Sequence, residues 1–108
     1  MADRTSGGWD AITGEMPSDI ATEIEQAFAN VQLTLEHAGG KGWAQVFRIT
    51  SYHTDMTQEM LGIMARCAKK WMPDHKPIWT AVGVAKLGLE TMRVEIEVVA
   101  HVADESTK

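Results

Sequence analysis

The chain has 108 residues and a mass of 11.9 kDa, room for one domain on one core and too little for two. Hydrophobic residues make up 44% and charged residues 23%, with nine Gly and three Pro, which fits a globular domain and excludes collagen-like and disordered classes. Fifteen acidic residues against ten basic ones give a net charge of −5, so the phosphate attraction behind non-specific nucleic-acid binding has no evident source. Cys67 is the only cysteine, which allows no intrachain disulfide or thiolate zinc cluster and fits a reducing compartment. The start, MADRTSGGWD, has neither an apolar signal core nor an Arg-rich transit pattern, and no window approaches a membrane span. The expectation is a soluble, cytoplasmic protein without a membrane or nucleic-acid partner.

In chain order, the polar start comes first, and residues 1–6 are expected to be flexible. Pro17-Ser18-Asp19 offers a helix cap, and Ile20, Ile24, Phe28, Val31 and Leu35 follow in steps of three and four, which predicts a helix over 19–38 with one buried stripe. Thr22, Glu23, Glu25, Gln26 and Gln32 suit its solvated face, and Gly39-Gly40 supplies the residue that ends helices. From Trp43 to His53 the period changes to alternation rich in β-branched and aromatic residues, a strand. Helical spacing returns over about 57–71, with Leu61, Met64, Ala68 and Trp71 on one stripe, until Pro73 and Pro77 bracket a loop carrying Asp74 and His75.

Ile78 to Val84 is a short β-branched run, and Lys86 to Glu90 a connection. Met92 to Val102 then alternates regularly, with Met92, Val94, Ile96, Val98, Ala100 and Val102 on one side and Arg93, Glu95, Glu97, Val99 and His101 on the other. The tail, residues 104–108, is polar and expected to be flexible. Helix, strand, helix, strand, strand predicts an α+β domain over 1–108 with both helices on one sheet face. Three strands leave edges exposed and a half-charged second face, for which oligomerisation is the economical remedy.

Candidate chemistry is sparse. Gly39-Gly40-Lys41-Gly42 follows a helix instead of opening one, so it reads as a cap and not a phosphate cradle. His53 and Asp55 lie two apart, but His37, His75 and His101 supply no third metal ligand at diagnostic spacing, and the pair reads as solvated strand-end residues. Cys67 reads as a small buried hydrophobe, the seven Met and Trp71 as core fillers, and Lys69-Lys70 as a solvated helix end beside the negative carbonyl terminus. No metal or cofactor is expected. Glu95 and Glu97, beside Arg93 and His101, form a titratable row that suits either a general acid or base, or a solvent face and intersubunit salt bridges.

Five blocks together, Ala27-Phe28-Ala29-Asn30-Val31, Leu35-Glu36-His37-Ala38-Gly39, Ser51-Tyr52-His53-Thr54-Asp55-Met56, Pro77-Ile78-Trp79-Thr80-Ala81-Val82-Gly83-Val84 and Val94-Glu95-Ile96-Glu97-Val98-Val99-Ala100, resemble the Rid family in order and spacing. That family is also called YjgF or L-PSP endoribonuclease, and the match runs from about Gly7 to Ala100. The resemblance implies a chorismate-mutase-like α+β fold, a homotrimer, and small-molecule sites in the clefts between subunits. Its best-understood members hydrolyse imines and enamines derived from amino acids to a 2-keto acid and ammonia. An arginine in their motif P-x-R-[ST] clamps the substrate carboxylate. Here that position is Trp79, which has one N–H donor and no charge. A family asparagine aligns with Ala65, the glutamate that positions the attacking water matches Glu95, and Thr80 and Ala81 keep the strand whose backbone lines the cleft.

Family chains also begin with a β-hairpin of roughly two dozen residues, a normal length for two strands and a turn, where only Met1 to Ser6 precede Gly7-Gly8 here. The N-terminal strands are therefore expected to be truncated. The resemblance then implies a trimer that binds a small carbonyl or imine-type molecule, with deaminase or hydrolase activity altered by Trp79. The alternative is a non-enzymatic binding or interaction module. Ribonuclease action fits least, given the charge.

Overall fold

Asp19 opens the first helix as the sequence predicts: its carboxylate accepts from the Thr22 backbone N–H at 3.0 Å, satisfying a donor that the first turn leaves free. The helix, α1, runs Ile20–His37 and closes at Gly39, whose φ of 89° lets the Gly40 N–H turn back to the Leu35 carbonyl at 2.9 Å. The second helix, α2, runs Gln58–Trp71 behind a Thr57 cap and stops before Pro73. The structure is a computed structural model that describes residues 2–101, by backbone alone over 2–5. Val102 and the tail 104–108 lie outside the described residues.

The segment expected to be a flexible start is a strand, β1 (Ala2–Gly7), and the sheet has four strands where the alternation patterns predict three. The others are β2 (Val46–His53), β3 (Ile78–Gly83) and β4 (Val94–Ala100), in the order β1-β4-β2-β3. β1 pairs antiparallel with β4 from Ala2↔Ala100 to Gly7↔Glu95, so one N-terminal strand is present. Its sequence carries no apolar alternation, and its pairing with β4 is what marks it as a strand. Asn30 on α1 fastens its end, donating to the Gly7 carbonyl at 2.9 Å and the Trp9 carbonyl at 2.7 Å. The next residue, Gly8, lies so close to Glu23 that a Cβ there would meet the helix backbone. β4 and β2 are antiparallel, and β2 and β3 parallel, with α2 supplying the crossover that a parallel pair needs.

Both helices and the inward side of the sheet share one core around Phe28, Val31, Trp43, Ile49, Met64, Ile96 and Val98. Trp43, expected at the start of β2, instead sits in a 3₁₀ turn, Gly42–Gln45. There it stacks on Phe28 at 4.7 Å and donates its indole N–H to the Phe28 carbonyl. The buried stripe of α2 is also rotated from the predicted one: Met60, Ile63, Met64 and Cys67 are buried, while Leu61, Ala68 and Trp71 are half-buried at its flank. Both stripes satisfy a 3.6-residue period, and the seating on α1 selects between them.

Two residues assigned to solvent on α1 are cross-links. Glu23 is fully buried and accepts from the Arg93 side chain at 2.7 Å and from the Arg93 backbone N–H at 2.7 Å, which takes Arg93 out of the row with Glu95. Glu25 reaches Lys70 of α2 at 2.7 Å. Burial works against its charge, but hydrogen bonds from Lys70 and Cys67 hold its carboxyl below the usual range.

Candidate functional site

A cleft of about 520 Å³ opens beside the β3 edge of the sheet. Ala65, Ala68, Lys69 and Met72 reach it from α2 and its end, the loop Pro73–Pro77 closes one side, and Ile49 and Trp79 form the sheet wall. The helical contributors lie three and four apart, so one face of α2 borders the cleft while the neighbouring face fills the core. Volume and mostly apolar lining fall in the range of small-molecule sites.

Trp79 and Ala65, both expected to contact substrate, meet in this cleft. The Trp79 N–H is committed: it donates to the Ser51 hydroxyl at 2.8 Å, so the indole offers the cleft carbon surface. Behind it, His53 Nε2 lies 2.7 Å from the same Ser51 oxygen. His53 and Ser51 are both fully buried, so His53 is not the solvated strand-end residue that the sequence predicts, and Asp55 remains exposed without it. Burial drives the His53 imidazole down to about 4, which keeps it neutral near pH 7. His53 Nδ1 has no hydrogen-bond partner among the described residues.

The other predicted residues do not join them. Strand pairing places Trp79 beside Ile49 and Thr80 beside Thr50, and adjacent strand residues face opposite ways. Trp79 therefore shares the helix side with Ile49, Ser51 and His53, while Thr80 lies on the open side with Thr50, Tyr52, Glu95 and Glu97. Ala81 pairs with Ser51 on the helix side but is not part of the cleft lining. On the open side Tyr52 donates its hydroxyl to Glu97 at 3.2 Å. That hydrogen bond first, then burial and the charges of Glu97 and Glu95, raises the Tyr52 phenol above its ordinary value.

Sequence reasoning misses the polar residues of the cleft lining, Lys69, Asp74, His75 and Lys76. The spacing Ala65, Ala68, Lys69, Met72, followed by a proline-bracketed loop, is a signal that could have found them. Cys67, by contrast, is the buried small residue expected, its thiol pushed up to about 11 by burial and by Glu25.

Two helices on one face of a four-stranded mixed sheet, with an apolar cleft at its edge, define a small α+β domain with a candidate ligand site. The endoribonuclease L-PSP family profile matches residues 4–102, and the chain belongs to that family, also known as Rid or YjgF. It is 30% identical over 92 residues to the RutC family protein YjgH of Escherichia coli K12, covering 85% of this chain and 68% of that one. Among solved structures, RidA from the Antarctic bacterium Psychrobacter sp. PAMC 21119 superposes with a TM-score of 0.81 at 25% identity, covering 92% of this chain and 77% of that one. Escherichia coli TdcF with bound serine gives 0.80 at 21% identity over 93% and 78%. No helix among the described residues is long and apolar enough to cross a membrane.

Proposed function

We propose that this chain acts as a homotrimer binding a small carbonyl, imine or enamine-type metabolite in clefts between subunits. The observation that carries the reading is the split of the site by the sheet: Trp79 and Ala65 line the cleft, while Glu95 lies on the opposite face. One protomer cannot bring Trp79 and Glu95 to one ligand, so a site that uses both takes Glu95 of the partner subunit. The serine bound to TdcF supports an amino-acid-derived ligand of small size.

In the catalytic form of this reading, water adds to the imine carbon while one of its protons passes by way of Glu95 to the nitrogen; the hydroxyl of the adduct then gives up its proton to the same nitrogen, the C–N bond breaks, and ammonia leaves the carbonyl product. Trp79 stands at the position of the clamping arginine and supplies a wall in place of a charge. Losing a bidentate, charge-assisted pair costs about 2–3 kcal/mol of substrate binding, so ordinary short 2-imino acids are poor substrates. The second reading, a binding module without catalysis, is favoured by the Trp79 N–H being spent on Ser51.

The solution mass tests the assembly: three times 11.9 kDa supports the shared cleft, and a monomer removes it. Enzymatically generated 2-iminopropanoate tests the chemistry. Decay as fast as with an arginine-containing relative overturns the specificity assigned to Trp79, and a Glu95→Ala protein that keeps all residual activity and binding favours the module.

A further inference from the structure

Trp79, Ser51 and His53 form one hydrogen-bonded chain on the helix side of the sheet. The Trp79 indole nitrogen lies 2.8 Å from the Ser51 hydroxyl oxygen, and His53 Nε2 lies 2.7 Å from that same oxygen. The β3 residues beside Ser51 and His53 are Ala81 and Gly83, while Trp79 itself pairs with Ile49. An aromatic ring reaches such a diagonal neighbour across two strands, and β3 places no large side chain in its way. The direction of the chain follows from what each group can donate. An indole nitrogen only donates, so the Ser51 oxygen accepts from Trp79. Ser51 has one proton of its own to give, and His53 Nε2 is its acceptor, which leaves the imidazole proton on Nδ1. The opposite tautomer, protonated on Nε2, would leave both the Ser51 proton and Nδ1 without partners among the described residues. Burial keeps the ring neutral near pH 7, so one ring nitrogen stays an acceptor. The arrangement still orphans the buried Nδ1 among the described residues, and such groups are rare enough in native proteins to call for a reason.

We propose that Ser51 and His53 are positioning residues of the cleft: His53 fixes the Ser51 hydroxyl as an acceptor, and Ser51 holds the Trp79 indole with its N–H edge turned to the sheet. A ligand then meets the indole by stacking on its face and not by a hydrogen bond to its N–H. A free indole N–H would serve any ligand with an acceptor oxygen, whereas a tethered ring is a rigid carbon surface that discriminates by shape. His75 repeats the pattern on the loop side of the cleft, where its Nε2 donates to the Val46 carbonyl at 2.7 Å. The ligand class this wall favours is a flat, conjugated carbonyl or imine. The hydrogen-bonded chain stands without a ligand; only its effect on binding rests on the reading of this cleft as the ligand site.

The test begins on the unliganded, ¹⁵N-labelled protein. Long-range ¹H–¹⁵N spectra near pH 7 show His53 with its proton on Nδ1, and the Trp79 indole N–H exchanges slowly with solvent. In S51A that N–H exchanges at least about tenfold faster, while in S51T, which keeps a hydroxyl, it stays within about twofold of the wild type. In H53L, where Ser51 remains but loses its acceptor, exchange quickens about threefold or more. The Trp43 N–H, bonded to the Phe28 carbonyl in the core, is the folding control and is unchanged throughout; where a variant loses that protection, the wild-type tautomer decides alone. A proton on Nε2, or an indole N–H indifferent to S51A, overturns the chain, and wild-type exchange in H53L overturns the role of His53. Acetophenone and cyclohexyl methyl ketone share a carbonyl and differ in flatness, so they test the effect on binding. The wild type binds the flat ketone at least about threefold more tightly, and S51A narrows that ratio. Equal affinities overturn recognition by stacking while the hydrogen-bonded chain stands. No binding of either ketone overturns the ligand half of the inference and counts against the cleft reading itself.

Discussion

The two faces of the sheet solve different problems. On the helix side every inward position of β4, from Val94 to Ala100, is buried, and Ser51, Glu23, Asn30 and His53 Nε2 are hydrogen-bonded in the interior, with His53 Nδ1 an exception. On the open side Tyr52, Glu95 and Glu97 form a charged row in which a phenol shares a carboxylate. The difference teaches that stability is concentrated on one face, which leaves the other free to carry function or assembly.

The comparison breaks most sharply in the core. Phe28→Ala removes the ring that Trp43 stacks on and is expected to cost about 4 kcal/mol, measured by denaturant unfolding; a loss under about 1 kcal/mol would show that the helix side is not the stabilising face. Next comes acid. His53 is near pKa 4 in the folded chain against 6.5 when free, so the unfolded state binds more protons between those values. Stability should therefore fall as pH drops from about 6.5 to 4, by about 3 kcal/mol in all, and replacing His53 should remove that slope.

Ser51→Ala leaves the Trp79 N–H without its acceptor and is expected to cost about 1–2 kcal/mol and to loosen the indole at the cleft, read as a change in the Trp79 N–H signal. At the small end, Tyr52→Phe on the open face should alter stability by less than about 1 kcal/mol. A larger loss that depends on protein concentration would show this face buried between subunits. Cys67, raised to about 11, should resist alkylation near pH 8 until the chain unfolds.

Much of this architecture is legible in the sequence because it rests on local rules. Ile24, Phe28, Val31 and Leu35 mark α1 by spacing, Asp19 and Gly39 mark its ends, and the alternation of Val94 to Ala100 assigns each residue of β4 to its face. Trp79 and Ala65 are legible as neighbours through family resemblance. β1 is not legible, since its pattern depends on a partner strand 90-odd residues away, roughly the whole chain. Glu23 is not legible either: a charge on a helix reads as solvated until Arg93 arrives from the far end of the chain to meet it.

By itself the sequence determines the two helices, β2, β3 and β4, their order, the inward residues of α1 and β4, and the cap chemistry at Asp19 and Gly39. Only the tertiary structure decides which stripe of α2 is buried, that Lys69 and Lys76 share a cleft with Trp79, and that Trp79 and Glu95 stand on opposite faces. Periodicity records how residues are spaced along one element. It carries no information on which element comes to lie against which, and charge burial, cleft lining and the division of the site all depend on that contact.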